Sequence, residues 1–234
     1  MADPREILAR LYPTTVRFDV GRGGGVPELT NIDIAGALGM VPAGLGREVL
    51  EACWWPDGAA LRRHKLRDAV IALVEPEIRR QRNRLWEAGL DYQLAKQAAA
   101  WSASGMTHEQ RVALEHARAR YELVQEQCWP KSTMESLPTL TGAVLSEIAK
   151  ANHCEACSGR GERLVGETVK ECDECGGRGI LPVSDRKRAK AIGRDVAAYQ
   201  RTWRPVYLWL MDKMRDAEQQ AARELAGALS REAA

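Results

Sequence analysis

Cys154-Glu-Ala-Cys157 and Cys172-Asp-Glu-Cys175 are two Cys-x-x-Cys knuckles, with Gly159 and Gly161 after the first and Gly176, Gly177 and Gly179 after the second. A two-residue gap lets one tight turn present both sulfurs to a single tetrahedral ion, and a second turn completes a four-thiolate set. The glycines can adopt positive φ and bring backbone N–H groups up to the sulfurs. The fourteen residues between the knuckles can form a short hairpin that brings them together, and the strand signals fall at Arg163–Val169 and Ile180–Val183. Together the knuckles read as one structural zinc site, with Cys154, Cys157, Cys172 and Cys175 as ligands. Four sulfurs leave no coordination position for water, which points away from catalysis. The expected fold is mainly α: a multi-helix domain with an inserted four-cysteine zinc hairpin, followed by a helix-turn-helix-like pair.

Other uses of the cysteines fit less well. Met1-Ala-Asp-Pro-Arg-Glu has no apolar leader, so a cytoplasmic chain with reduced thiols is expected. A thioredoxin-like pair needs a βαβ setting, and none surrounds these residues. Cys53 and Cys128 sit beside Trp54 and Trp129 and read as thiols packed among helices. His153 precedes the first ligand but is surplus to a filled shell.

The 234 residues, 45% hydrophobic, suffice for one large or two small domains. No apolar run is long enough to cross a bilayer, so no membrane partner is expected. The net charge of +2 is unevenly spread. Ser184–Arg204 carries seven Lys/Arg against two Asp, and Arg62–Arg84 eight against Asp68, Glu75 and Glu77. Each island suggests contact with a polyanion, or is the wet face of a helix. The seven tryptophans fall in helical segments and read as core, with Trp203 the exception, since it lies in a candidate reading turn.

Three regions are expected: a glycine-rich N-terminal arm over 1–27, a helical domain over 28–130, and a zinc-hairpin and DNA-binding region over 131–234. Thr30 or Asn31 can cap a helix through Met40, and Pro42 can open the next, through about Cys53. These two read as an ordinary packed pair. Leu61–Leu85 reads as a long helix, bent before Pro76, and Leu90–Ala103 as another. Thr107-His-Glu-Gln110 is a capping box for a helix through Gln127. Pro130 and Pro138 bracket a connector, and a helix over Thr139–Ala151 follows, with Leu140, Val144, Leu145 and Ile148 inward. Ser184 or Asp185 caps a basic helix through about Val196. A turn near Ala197–Arg201 leads to a final helix capped by Thr202, with Val206, Leu210, Met214 and Ala217 inward. This places Arg186, Lys187, Arg188, Lys190, Arg194, Arg201, Thr202, Trp203, Arg204 and Tyr207 as candidate contacts to duplex DNA, arginine for base edges and the remaining cations for phosphates.

Three stretches carry a resemblance. They are Cys154-x-x-Cys157-x-Gly159-x-Gly161 with Cys172-x-x-Cys175-x-Gly177-x-Gly179, then Arg201-Thr202-Trp203-Arg204-Pro205-Val206-Tyr207-x-x-Leu210, and the earlier Ile32-Asp33-Ile34-Ala35-Gly36-Ala37-Leu38-Gly39-Met40. Together they resemble the lambda-type Q antitermination proteins of lambdoid bacteriophages. The resemblance implies a non-enzymatic factor that binds DNA at a phage late promoter. It would load onto paused host RNA polymerase with sigma engaged, and modify the flap and RNA exit channel so that terminators are read through. A Nus-type elongation factor is a further partner it suggests, and the helical domain is the candidate for contacting polymerase. Two other classes stand beside it: a zinc-containing DNA-binding regulator without antitermination activity, and a DnaJ-type zinc substrate-binding module, which shares the cysteine-glycine unit but uses four repeats. An enzyme would need an open metal position or a carboxylate or histidine constellation, and neither is evident.

Overall fold

The computed structural model describes residues 3–11, 29–101, 105–150, 154–158, 160–165, 168–177, 179 and 181–232. The chain is mainly helical, and it divides into two compact units: residues 1–70 with 135–234, and residues 71–134. This differs from the expected partition at 130/131, because residues from Leu29 to Val70 pack with the C-terminal part of the chain. Most of the expected arm, residues 12–27, lies outside the described residues. Its beginning is not arm-like: Pro4–Ala9 forms helix α1, capped by Asp3, with Ile7 and Leu8 buried.

In the first unit, α2 (Asn31–Met40) begins at Thr30, where Thr30 and Asp33 form a reciprocal capping box. The next helix, α3 (Leu45–Trp54), starts after Gly44 and not at Pro42. A short α4 (Pro56–Ala60) leads into α5 (Arg63–Ala100). The organising element is the last helix, α10 (Arg204–Glu232), against which α1, α2 and α3 pack. Its inward residues Val206, Leu210 and Met214 are buried as expected, and the stripe continues through Ala221, Ala222, Leu225, Ala228 and Leu229. That longer stripe needs cover, and Ile34, Leu38 and Leu50 supply it in one core with Ile7 and Leu8. Truncating Leu225 to alanine would cost about 2–5 kcal/mol at such a site. Close approach of α3 to α10 depends on Gly46, where a β-carbon would lie 2.5 Å from the Ala217 carbonyl oxygen.

Two buried carboxylates fasten this unit. Glu218 on α10 receives Arg5 bidentately at 2.7 and 2.8 Å and the Trp54 indole N–H at 3.1 Å. Glu51 on α3 accepts from Arg47 at 2.9 Å and from Arg62. Neither anion could remain buried unpaired at acceptable cost.

The second unit, 71–134, is a helical hairpin. The expected two helices over 61–85 and 90–103 are one: α5 runs 38 residues straight through Pro76 and past Gly89. Pro76 removes one backbone donor, and the strong helix formers around it, Ala72, Leu73, Glu75, Glu77, Arg79 and Arg80, have enough propensity to continue. The partner helix α6 (His108–Gln127) starts at the Thr107/Gln110 capping box and runs antiparallel. Contacts along the pair include Gln110 to the Ala98 carbonyl at 3.3 Å, Tyr121 stacked on Tyr92 at 5.9 Å, and Arg84 to Gln127 at 3.3 Å. Trp86 and Trp101 are 68% and 83% exposed, contrary to the reading of the tryptophans as core.

Helix α7 (Thr133–Ala149) begins six residues before the expected Thr139, with Pro138 inside it. The Pro130 carbonyl holds the start by accepting from the Thr133 N–H at 3.0 Å and hydroxyl at 2.6 Å. Between the knuckles, β1 (Glu162–Val165) and β2 (Thr168–Glu171) pair antiparallel, Glu162 opposite Glu171. Both strands therefore come from within the linker. Residues 181–183 form no strand, and Ile180 lies outside the described residues.

Ser184 caps α8 (Asp185–Ala191), which ends at Gly193, φ +65°. The next helix starts at Asp195, not Thr202: α9 (Val196–Ala198) passes through a π-turn, Tyr199–Trp203, directly into α10. The expected turn near 197–201 is thus this widened helical turn. In a regular α-helix the Pro205 ring would meet the Arg201 carbonyl, and the wider register relieves that clash.

Candidate metal centre and the neighbouring basic surface

The second knuckle repeats the first eighteen residues later, and the backbone follows the repeat. Cys154 N–H donates to the Gly179 carbonyl and Cys172 N–H to the Gly161 carbonyl, both at 2.8 Å. Gly161 N–H points at Cys157 Sγ at 3.2 Å, and Gly179 N–H at Cys175 Sγ at 3.3 Å. Ser158 and Gly176 occupy the equivalent left-handed turn position, at φ +52° and +54°. The two knuckles thus clasp each other across a local pseudo-twofold. At Gly161, φ +79°, an added β-carbon would fall on the Gly177 carbonyl oxygen. Gly159 and His153 lie outside the described residues.

The four sulfurs converge. Cys154 Sγ lies 3.8 Å from Cys172 Sγ and Cys157 Sγ 3.8 Å from Cys175 Sγ, and all four lie within 4.8 Å of one another. With zinc–sulfur bonds of about 2.3 Å, the edge of a regular ZnS4 tetrahedron is about 3.8 Å. The spacing exceeds the ~2.05 Å of a disulfide, and the cysteines are free thiols. Burial raises Cys157, but the Gly161 N–H and the neighbouring sulfurs outweigh it and bring this thiol down to about 7. Cys154 is pushed up to about 11, chiefly by burial. Several thiolates this close repel one another, so a charged set needs a cation among them. Cys154, Cys157, Cys172 and Cys175 can therefore hold one metal ion, and the donor set is compatible with a zinc coordinated wholly by cysteine. Ala156 and Leu181 pack against the cluster.

Cys53 and Cys128 stand apart as expected. Burial above all, with Glu218 nearby, pushes the Cys53 thiol up to about 12, and its Sγ lies 3.8 Å from the Leu145 carbonyl oxygen. Cys128 is half-buried, 3.7 Å from the Gln81 carbonyl oxygen.

The candidate DNA contacts separate into two groups. Arg186, Lys187, Lys190, Arg194, Arg201, Thr202 and Arg204 are exposed. Arg204 pairs loosely with Asp185 at 3.5 Å, and the Arg194 guanidinium lies 5.0 Å over the Trp203 ring. Arg188, Trp203 and Tyr207 do not belong to that surface. Trp203 is 5% and Tyr207 1% exposed. Arg188 forms a bidentate pair with Glu147 on α7 at 3.0 and 2.6 Å, and the Tyr207 hydroxyl donates to the same carboxylate at 2.9 Å. The hydrogen bond to Glu147 raises the Arg188 pKa above its already high ordinary value. Burial, then Glu147, raises Tyr207. Tyr199 packs edge-on to Tyr207 at 5.9 Å, with its hydroxyl buried without a hydrogen-bond partner. These residues brace α8 and α10 against α7.

Sequence reading missed Glu147. The available signal was its place three residues after Val144, an acid beside the apolar stripe of α7. Glu218 carries the same signal, four residues after Met214 on the stripe of α10.

Comparison with family models, with curated proteins and with solved structures returns no match.

Proposed function

We propose that this protein is a zinc-stabilised, duplex-DNA-binding transcription factor acting in antitermination of the lambda-type Q kind. The observation that carries the reading is a closed four-thiolate cage leading directly, through Leu181 and Ser184, into a helix with Arg186, Lys187 and Lys190 exposed. Cys154, Cys157, Cys172 and Cys175 would hold one zinc, which contributes folding free energy rather than a reactive position. Arg201 and Arg204 lie exposed at the start of the following helix, so the pair α8 and α9–α10 works as a helix-turn-helix-like unit against DNA. Lys187, Lys190 and Arg194 meet phosphates, and Arg204 is the first candidate for a base edge. Arg188, Trp203 and Tyr207 set the angle of the pair from inside.

The resemblance supplies the wider setting: a late promoter, host RNA polymerase at its flap and exit channel, sigma, a Nus-type factor, and the host cytoplasm. No helix among the described residues is long and apolar enough to cross a membrane.

Transcription through a terminator with purified polymerase tests the reading. Antitermination raises full-length transcript when the phage late promoter is present, and a plain regulator changes initiation instead. Duplex binding across a salt series tests the surface separately. Each phosphate contact contributes roughly 0.9 to the log–log slope, so Lys187→Ala with Lys190→Ala should flatten it by about 2. An unchanged slope would remove α8 from the interface.

A further inference from the structure

Four large apolar side chains lie in solvent along one line of α5 and the residue that follows it: Trp86 at 68%, Leu90 at 43%, Leu94 at 55% and Trp101 at 83% exposure. The Trp101 N–H still donates in helical register to the Gln97 carbonyl at 3.1 Å. At 3.6 residues per turn they occupy about 80° of the helix circumference. The opposite side of α5 faces α6, where Tyr92 stacks on Tyr121 and Ala88 is buried. The hairpin is therefore packed on one side of its long helix and bare on the other. We propose that the bare stripe binds the same stripe of a second copy, antiparallel, giving a dimer layered α6–α5–α5–α6.

Three observations favour a second copy over other occupants. The first is pattern. Turned about a twofold axis near Gln93 and Leu94, the stripe sets Trp86 opposite Trp101 of the other copy and Leu90 opposite Gln97. One surface thus complements itself, as an isologous interface requires. The second is charge. Residues 71–134 carry nine Lys/Arg and eight Asp/Glu. Of the three charged side chains between the two tryptophans, Asp91 is held by Arg120 on α6, and Lys96 lies about 80° around the helix from Trp86, off the stripe. The polar residues on or beside the stripe between the tryptophans are Gln93, Gln97 and Glu87, so a polyanion finds no cations there. The third is area. At about 200 Å² for a whole tryptophan side chain, the two tryptophans alone present roughly 300 Å². With the leucines and glutamine stems, two copies bury about 1,000 Å², the size at which specific interfaces begin.

Sedimentation velocity and light scattering on the full metal-bound chain, across a concentration series, test this. The wild-type chain should shift with concentration from 25.9 kDa to twice that mass. Leu90→Lys combined with Leu94→Lys should remain monomeric with an unchanged far-ultraviolet helix signal, since both positions are solvent-exposed in the single chain. Trp86→Ala with Trp101→Ala adds no charge and should weaken association roughly 30-fold or more. A wild-type chain that stays monomeric throughout overturns the proposal, including the case where a nucleic acid or a different protein is then found on the stripe. A dimer that both variants leave intact overturns it equally.

Discussion

Replacing Glu147 by alanine should destabilise the protein more than any surface change on α8 or α10. Glu147 and Arg188 have side-chain exposures of only 8% and 13%, and the pair is bidentate. Removing one partner of a buried ion pair leaves the other charge uncompensated, at about 3–5 kcal/mol. The Tyr207 hydroxyl, which donates to Glu147, loses its acceptor as well. That loss belongs to the same network and does not simply add, so about 4 kcal/mol is expected for the whole substitution. Urea unfolding of the metal-bound protein, followed by far-ultraviolet circular dichroism, reads the change as a lower midpoint. Arg188→Met should cost a similar amount. The double variant Glu147→Leu with Arg188→Met should recover much of it, because it leaves no orphaned charge. Duplex affinity per folded molecule should change little in the double variant. A Glu147→Ala midpoint within experimental error of wild type, or a selective loss of DNA affinity in a fully stable Arg188→Met chain, would show that Arg188 faces the ligand and not the interior.

Other consequences concern the knuckles, the helix contact and the cap. Gly161→Ala should weaken zinc retention against a chelator by at least tenfold, since the substituted backbone must leave φ +79° and move away from the Gly177 carbonyl, which breaks the clasp between the Gly161 carbonyl and the Cys172 N–H. Competition titration measures it, and unchanged retention would argue against the clasp. Gly46→Ala forces α3 away from the Ala217 carbonyl and should cost about 1–3 kcal/mol, read by thermal unfolding. The hydrogen bonds from the Thr30 side chain and backbone lower the Asp33 pKa below 3.8. The stabilisation they give is full above that ordinary value and disappears as the pH falls through the lowered one. Asp33→Asn should therefore narrow its stability gap to wild type on going from pH 7 to strongly acidic solution, and a gap independent of pH would sink this assignment.

The features legible in the sequence are those set by neighbours along the chain. The Thr107 capping box stands where Thr-x-x-Gln placed it, Thr30 of the two candidates Thr30 and Asn31 caps α2, and the four cysteines converge as their paired spacing required. What the sequence concealed depends on distant partners or on competition between local rules. Pro76 looked like a bend, Pro138 like the edge of a connector and Pro205 like the first turn of a new helix, yet each lies within continuous helical structure, since flanking propensity or a π-turn absorbs the lost donor. The strand pair formed inside the linker, where a tight hairpin closes fewer residues than one reaching 180–183. Arg188 and Tyr207 looked like an exposed basic and aromatic turn because their partner, Glu147, lies 41 and 60 residues away in the chain.

Metal analysis of the purified chain with X-ray absorption at the zinc edge tests the central claim most directly. One zinc per chain, surrounded by four sulfurs at about 2.3 Å, is the predicted result. A chain that folds fully with no bound metal, or a zinc shell containing nitrogen or oxygen donors, would contradict it.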